Sequence, residues 1–471
     1  MIKNINIIRV SSALFMMLLF TGAAGRCDEE VRQRMIEQEK IADLAATERA
    51  ALDGQKRLSI DYGGWFNFRY DDYKDDDNDA GLRDDFDYDV SCDLRLWFLA
   101  KLNPPAGADY KNVHSFYCRF KDLYINSRPR DVGGGSDNDG PHVDYAYVTM
   151  DLRPVWGEAG RRYFSIGRGV AYSNVNDGAE IYLAMERWNF RGFASHTLPH
   201  EENVDMSIPG YGKTSDRYYY GAQVDCRLLA GHGIYGYFLA ERDFSDADPQ
   251  DALHGFEYDA EYFGLGANGR VVENLKYWAE FIKETGESRI YDTNEKSDVD
   301  AWSAMAGISY DAECYSHPSV LFEYAFGSGD PDRASVTDTQ GGNTSGKDKN
   351  FLYFGYFPTG YALAPRLSNI HIYKAGAYLK PLEGVSFFKR CTVGVNYYRY
   401  YKDKSEGGIY DPEANRSSAN IGDEIDLYVI WRMLSDLSVV VQYGHFRPSG
   451  AYPDATHDSE DYLGISSAVT F

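Results

Sequence analysis

Glu460-Asp461-Tyr462-Leu463-Gly464-Ile465-Ser466-Ser467-Ala468-Val469-Thr470-Phe471 is the stretch on which the reading of this chain turns. On an extended strand, Leu463, Ile465, Val469 and Phe471 share one face, and Gly464, Ser466, Ala468 and Thr470 share the other. A strand at the edge of a sheet exposes unpaired backbone groups unless another strand closes it. An apolar face opposite a small and polar one, ending on an aromatic, suits the closing strand of a membrane-spanning barrel, with lipid outside and water inside. The same alternation would serve the last strand of a soluble sandwich, so the rest of the chain must decide.

Upstream, the same period of two recurs from Leu58 onward. Leu58, Ile60, Tyr62, Phe66 and Phe68 alternate with Ser59, Asp61, Trp65, Asn67 and Arg69. Val90, Cys92, Leu94, Leu96 and Phe98 alternate with Asp89, Ser91, Asp93, Arg95 and Trp97; Phe116, Cys118 and Phe120 alternate with Tyr117, Arg119 and Lys121. A charge at every second place is hard to bury in a sandwich and easy to accommodate on a face that lines water. Continued, the pattern predicts eighteen strands, the later ones near 143–152, 161–169, 185–196, 203–208, 217–229, 234–242, 256–267, 274–285, 300–310, 318–327, 367–379, 386–400, 421–432, 437–446 and 460–471. The connections alternate between long, acidic, Gly- and Asn-rich loops (170–184 and 328–366 among them) and short turns such as Ala230 to Gly233 and Met433 to Asp436. That is the asymmetry of an outer-membrane barrel, and an even strand number puts both termini on the periplasmic side. The expected fold is therefore an all-β, antiparallel transmembrane barrel over 58–471.

Composition agrees. The chain has 471 residues, 39 of them Tyr, and a net charge of -24. Tyr suits a membrane–water boundary, and the acidic balance argues against nucleic acid as a partner. Residues 1–25 predict a secretory signal: Lys3 and Arg9, an apolar run from Ala13 to Phe20, then Ala23-Ala24-Gly25. Beyond it, no apolar run is long enough to cross a bilayer as a helix. Residues 26–57 predict a short periplasmic helix. Cys92, Cys118, Cys226, Cys314 and Cys391 fall in phase with apolar neighbours, as small lipid-facing hydrophobes, with a Cys92–Cys118 bridge as the alternative.

Four short segments resemble the alginate-export family of bacterial outer-membrane porins. They are Gly167-Arg168 (with Gly169 where that family has Gln), Phe326-Gly327-Ser328-Gly329-Asp330, Lys380-Pro381-Leu382 and Gly422-Asp423-Glu424-Ile425-Asp426-Leu427. The resemblance implies a monomeric eighteen-stranded barrel that exports an anionic polysaccharide through an Arg-rich constriction, beside periplasmic secretion components. The candidate lumen of this chain is mixed rather than basic. Asp93, Arg95, Arg119, Lys121, Arg168, Arg191, Asp225 and Arg227 are its pore-lining candidates in the first half, with Glu261, Glu280, Glu323, Glu424 and Asp426 in the second. Arg168 shares the parity of Phe164 and Ile166, so it reaches the lumen only past a bulge. Walls of opposite sign orient polar solutes; a purely basic wall attracts polyanions. Each of these charges could instead belong to an ion pair within the barrel.

The loop at 328–366 carries its own aromatic run, Phe351-Leu352-Tyr353-Phe354-Gly355-Tyr356-Phe357, which makes it more than a linker: a lid folded into the mouth, with packing on the barrel rim at the lipid boundary as the alternative. Gly264-Leu265-Gly266-Ala267-Asn268-Gly269 spells a dinucleotide fingerprint, but another strand follows it instead of a helix, so a turn explains it better. No catalytic nucleophile cluster, cofactor site or metal-ligand spacing emerges; Asp71 to Asp79 lacks the Gly and Glu of an EF-hand and reads as a solvated loop. The sequence thus predicts an outer-membrane channel for saccharides or other polar solutes. The alternative is an adhesion barrel with acidic loops and a blocked lumen.

Overall fold

The computed structural model describes residues 58–74, 87–103, 113–128, 135–152, 154–198, 216–229, 231–244, 258–290, 295–333, 336, 339, 343–454 and 457–471. The expected signal and helix over 1–57, and the segment 203–208, lie outside the described residues.

Eighteen antiparallel strands form one closed sheet. They are β1 Leu58–Lys74, β2 Asp87–Leu102, β3 His114–Arg128, β4 Gly135–Leu152, β5 Val155–Ile166, β6 Tyr172–Ala184, β7 Trp188–His196, β8 Arg217–Leu229 and β9 His232–Asp243, continuing with β10 Asp259–Val272, β11 Leu275–Arg289, β12 Lys296–Asp311, β13 Ser319–Gly327, β14 Ile370–Leu379, β15 Cys391–Lys402, β16 Asn420–Arg432, β17 Leu437–Pro448 and β18 Glu460–Thr470. Each pairs with its neighbours in sequence, and β18 pairs with β1, Trp65 opposite Thr470. The Gly64 amide donates to the Phe471 carbonyl at 2.9 Å and the Phe471 amide to the Gly64 carbonyl at 3.0 Å, which removes both sheet edges.

The two faces differ as the alternation demands. Ile465, Val469 and Phe471 are exposed on the outside, with Phe263, Leu265, Trp302 and Ile308 around the ring; Tyr462, Ser466 and Ala468 are buried inside. The five described cysteines are free. Cys92 lies opposite Tyr124 and Cys118 opposite Phe98, too far out of register for a bridge. Among the described residues no helix is long and apolar enough to cross a membrane, which leaves crossing to the strands.

One expected loop is a strand. Tyr172–Ala184 is β6, and the expected strand at 185–196 is β7 with a later start. The sequence Tyr-Ser-Asn-Val-Asn-Asp-Gly hides β6 because that half never meets lipid. β4 borders β5 only from Ala146–Arg161 to Leu152–Val155, and β7 borders β6 only from Asp177 to Ala184. Residues 162–166 and 172–176 pair with each other and with neither neighbouring wall strand, and they leave the wall as a hairpin.

Candidate channel interior

The free hairpin turns inward. On one side Tyr163 and Val175 pack with Leu99, Tyr117 and Tyr145 of the β2–β4 inner wall. On the other, Phe164, Ile166 and Tyr172 join Phe193, Tyr219 and Tyr237 in the main core. Its tip, Gly167-Arg168-Gly169, is tied across the lumen. The Gly167 amide donates to Gln223 Oε1 and the Arg168 amide to Glu280 Oε2, both at 2.9 Å. Arg168 therefore reaches the interior by the inward fold of the whole hairpin, without a bulge, and its guanidinium lies 5.4 Å from the Trp278 ring. Gly167 has φ of 57°, and a Cβ there would stand 2.4 Å from the Tyr237 ring, so glycine alone fits.

The Gly264-to-Gly269 stretch finds its reason in the same place. Gly264 and Gly266 lie opposite Tyr237 and Tyr235. Built Cβ atoms would meet those rings at 2.0 and 2.1 Å. Across this bare strip both hydroxyls reach Glu280 on the next strand, Tyr237 at 3.2 Å and Tyr235 closer. Glu280 is thus saturated with donors, which is what makes a buried carboxylate tenable.

Residues 351–367 of the long connection after β13 also lie inside. Phe351, Leu352, Tyr353, Phe354, Leu363 and Leu367 are buried in the core that includes Tyr262, Ile282, Tyr398 and Tyr400 of the wall. Glu284 accepts the Leu352 amide at 3.0 Å and the Tyr258 hydroxyl at 2.5 Å. Glu424 Oε1 accepts the amides of Tyr361 and Ala362 at 2.6 and 2.8 Å, and Oε2 that of Leu363 at 3.3 Å. The Tyr400 hydroxyl stands 3.0 Å from Oε2. Loop and hairpin also join each other: the Phe354 amide donates to Ala171 and the Tyr356 amide to Gly169, both at 3.0 Å. Three wall glutamates, 280, 284 and 424, therefore hold inserted backbone by its amides.

A family model described as "Alginate export" matches residues 119–466. The chain belongs to the alginate-export family. It is a bacterial outer-membrane β-barrel of porin type, with lipid outside and a polar interior for solute passage. Among solved structures it is similar to Pseudomonas aeruginosa OccK8 (OprE), at 10% identity and a TM-score of 0.52, covering 88% of this chain and 98% of that one. It is also similar to OccK11 (OpdR) of the same organism, at 10% identity and 0.51, covering 88% and 96%. At such identity the likeness concerns the fold. No match was found among curated protein sequences.

Within this family barrel the predicted residues separate into groups. Arg95 bridges Asp93 at 2.8 Å and Asp144 at 2.9 Å, and the Arg119 Nε donates to Asp144 at 2.6 Å. Arg119 is fully buried, its guanidinium 3.9 Å from the Tyr145 ring centroid and 5.2 Å from that of Trp65. Asp144 turns inward because it is the extra residue of a bulge, between Val143 opposite Phe120 and Tyr145 opposite Arg119. Lys121 pairs with Asp139 at 3.3 Å on the outer-mouth side. Arg191 bonds Glu180, and Asp225 accepts from Gln223 at 3.0 Å. Glu323 accepts the Trp278 indole N–H at 3.1 Å and lies opposite Lys374. Arg227 is exposed beside the β8–β9 turn. Asp426 is fully buried opposite Asn396.

Glu261 needs correction. It alternates with the buried Ala260 and Tyr262 and shares the outer face with Phe263 and Leu265, where it pairs with Arg242 at 2.5 Å. Asp144, Glu158, Arg162, Glu180 and Glu284 were missed. The first sits on a bulge and the next three on the hairpin strands; Glu284 shares the parity of Glu280, a signal that was available.

Proposed function

We propose that the barrel conducts saccharides or other polar solutes across the outer membrane, and that hairpin 162–176 and loop 328–369 together form its gate. The carrying observation is that the hairpin tip and residues 351–367 of the loop sit inside a closed wall and are held to it by side-chain clamps. The loop packs mainly toward β8–β17 and the hairpin stands between it and the β2–β4 wall, so solute passes when the two part, past pore-lining charges such as Lys121, Arg162 and Arg191. In this reading residues 1–25 are removed on export, 26–57 stand in the periplasm, and the barrel works as a monomer with periplasmic secretion components. Planar-bilayer recording of the refolded chain tests it. Discrete conductance steps, enlarged by deletion of 330–362, are expected. No steps from either protein would overturn the channel and favour a blocked barrel. Reversal potentials in a KCl gradient then report ion preference, strong anion preference marking a polyanion route.

A further inference from the structure

We propose that Trp156, backed by the stacked ring of Tyr182, is a platform for the flat face of a pyranose, the centre of a subsite for neutral saccharide at the periplasmic end of the lumen. This rests on the channel reading above and names its solute class. The two residues lie directly opposite each other on β5 and β6. Their rings stack with centroids 3.7 Å apart and planes 5° from parallel, and both remain partly exposed. They share the parity of Glu158, Arg162 and Glu180, which places them on the inner face. Val155 opens β5 and Ala184 closes β6, so the pair stands just inside the periplasmic rim.

The surroundings complete the chemistry. Arg162 bridges Glu158 at 2.9 Å and also bonds Glu180; Arg191 bonds Glu180 too, with its guanidinium 5.7 Å from the Tyr182 ring centroid. A pyranose offers C–H bonds on its flat face, which suit the electron-rich face of an aromatic ring. Its equatorial hydroxyls both donate and accept, so guanidinium and carboxylate can each hold one. Two guanidinium groups against two carboxylates leave no net charge to draw a polyanion. Two other interior ring pairs, Phe351–Tyr353 and Tyr398–Tyr400, are buried in the core. The Trp97–Tyr117–Tyr147 row packs in the cluster that contains Tyr163 and Val175 of the hairpin.

The test is calorimetric titration of the full chain, folded in detergent, with a linear neutral glucan hexasaccharide and with a hexamannuronate. The glucan should bind, and Trp156→Ala should weaken it about tenfold, the scale of one lost aromatic contact. Trp156→Phe, which keeps a ring, should retain most of the affinity, and far-UV dichroism checks that each variant folds. Glucan affinity unchanged in both Trp156→Ala and Tyr182→Ala overturns the subsite. So does binding of the uronate alone, or of neither sugar. Sugar-free KCl conductance judges the channel separately, so loss of one reading is not mistaken for loss of the other.

Discussion

The Tyr361 backbone N–H meets the Glu424 carboxylate at 2.6 Å, so a side chain of β16 grips the inserted loop at its 361–363 end. Glu424→Ala removes the acceptor for three amides at once, each bond to a charged group contributing about 1.5–3 kcal/mol. The variant should still close its wall, because β16 keeps its pairing to β15 and β17. Its single-channel conductance should rise above that of the parent protein, with more frequent openings. Unchanged conductance in a folded Glu424→Ala barrel would show that this carboxylate does not restrain the loop.

Gly167→Ala should displace the hairpin tip. The added Cβ meets Tyr237 and Glu280 at a φ that L residues rarely adopt. Strain and overpacking of this kind cost about 1–3 kcal/mol. Urea unfolding in detergent should show the loss, and the conductance should change with it.

Arg119→Met should be more damaging than its volume suggests. It takes from Asp144 one of its charge partners in a buried site, and breaking a buried pair costs about 3–5 kcal/mol. Combining it with Asp144→Asn should recover part of that loss; a double mutant no more stable than Arg119→Met alone would refute the pairing.

The mouth loops carry a pH dependence. Asp411, between β15 and β16, is held above the usual carboxylate range by burial, against the hydrogen bond from the Tyr452 hydroxyl at 2.6 Å. A raised value means that protonation favours the packed arrangement of these two loops. The contribution of Asp411 is fully present below an ordinary carboxylate pKa of about 3.9 and is lost as pH rises through the raised one. The contact between the β15–β16 and β17–β18 loops should loosen across that interval, read as faster limited proteolysis of both loops, and Asp411→Asn should flatten the response.

How far the chain could be read from its residues depended on whether a residue touched lipid. Ile465 and Val469 announced β18 because hydrocarbon on one side and a polar interior on the other enforce strict alternation. Tyr172 to Asn176 announced nothing, since both of their faces meet protein. Arg95 and Arg119 were legible as inward charges, but their partner Asp144 was hidden by a bulge that shifts parity within one strand. Glu280 and Glu424 were legible as inward carboxylates. Their task of gripping backbone was not, because the amides they hold come from remote loops with no period of their own.

The β1–β18 seam has a kinetic side. Arg69 hydrogen-bonds the Tyr462 hydroxyl at 3.0 Å across 393 positions of sequence, whereas every other strand meets a partner adjacent in the chain. Bringing such distant segments together carries the largest entropic penalty of any step. Assembly is therefore expected to finish there, and until it does a nearly complete sheet carries two reactive margins. Weakening the seam would lengthen the life of that sticky intermediate, and the harm would appear as aggregation during biogenesis rather than as a defect in the finished pore.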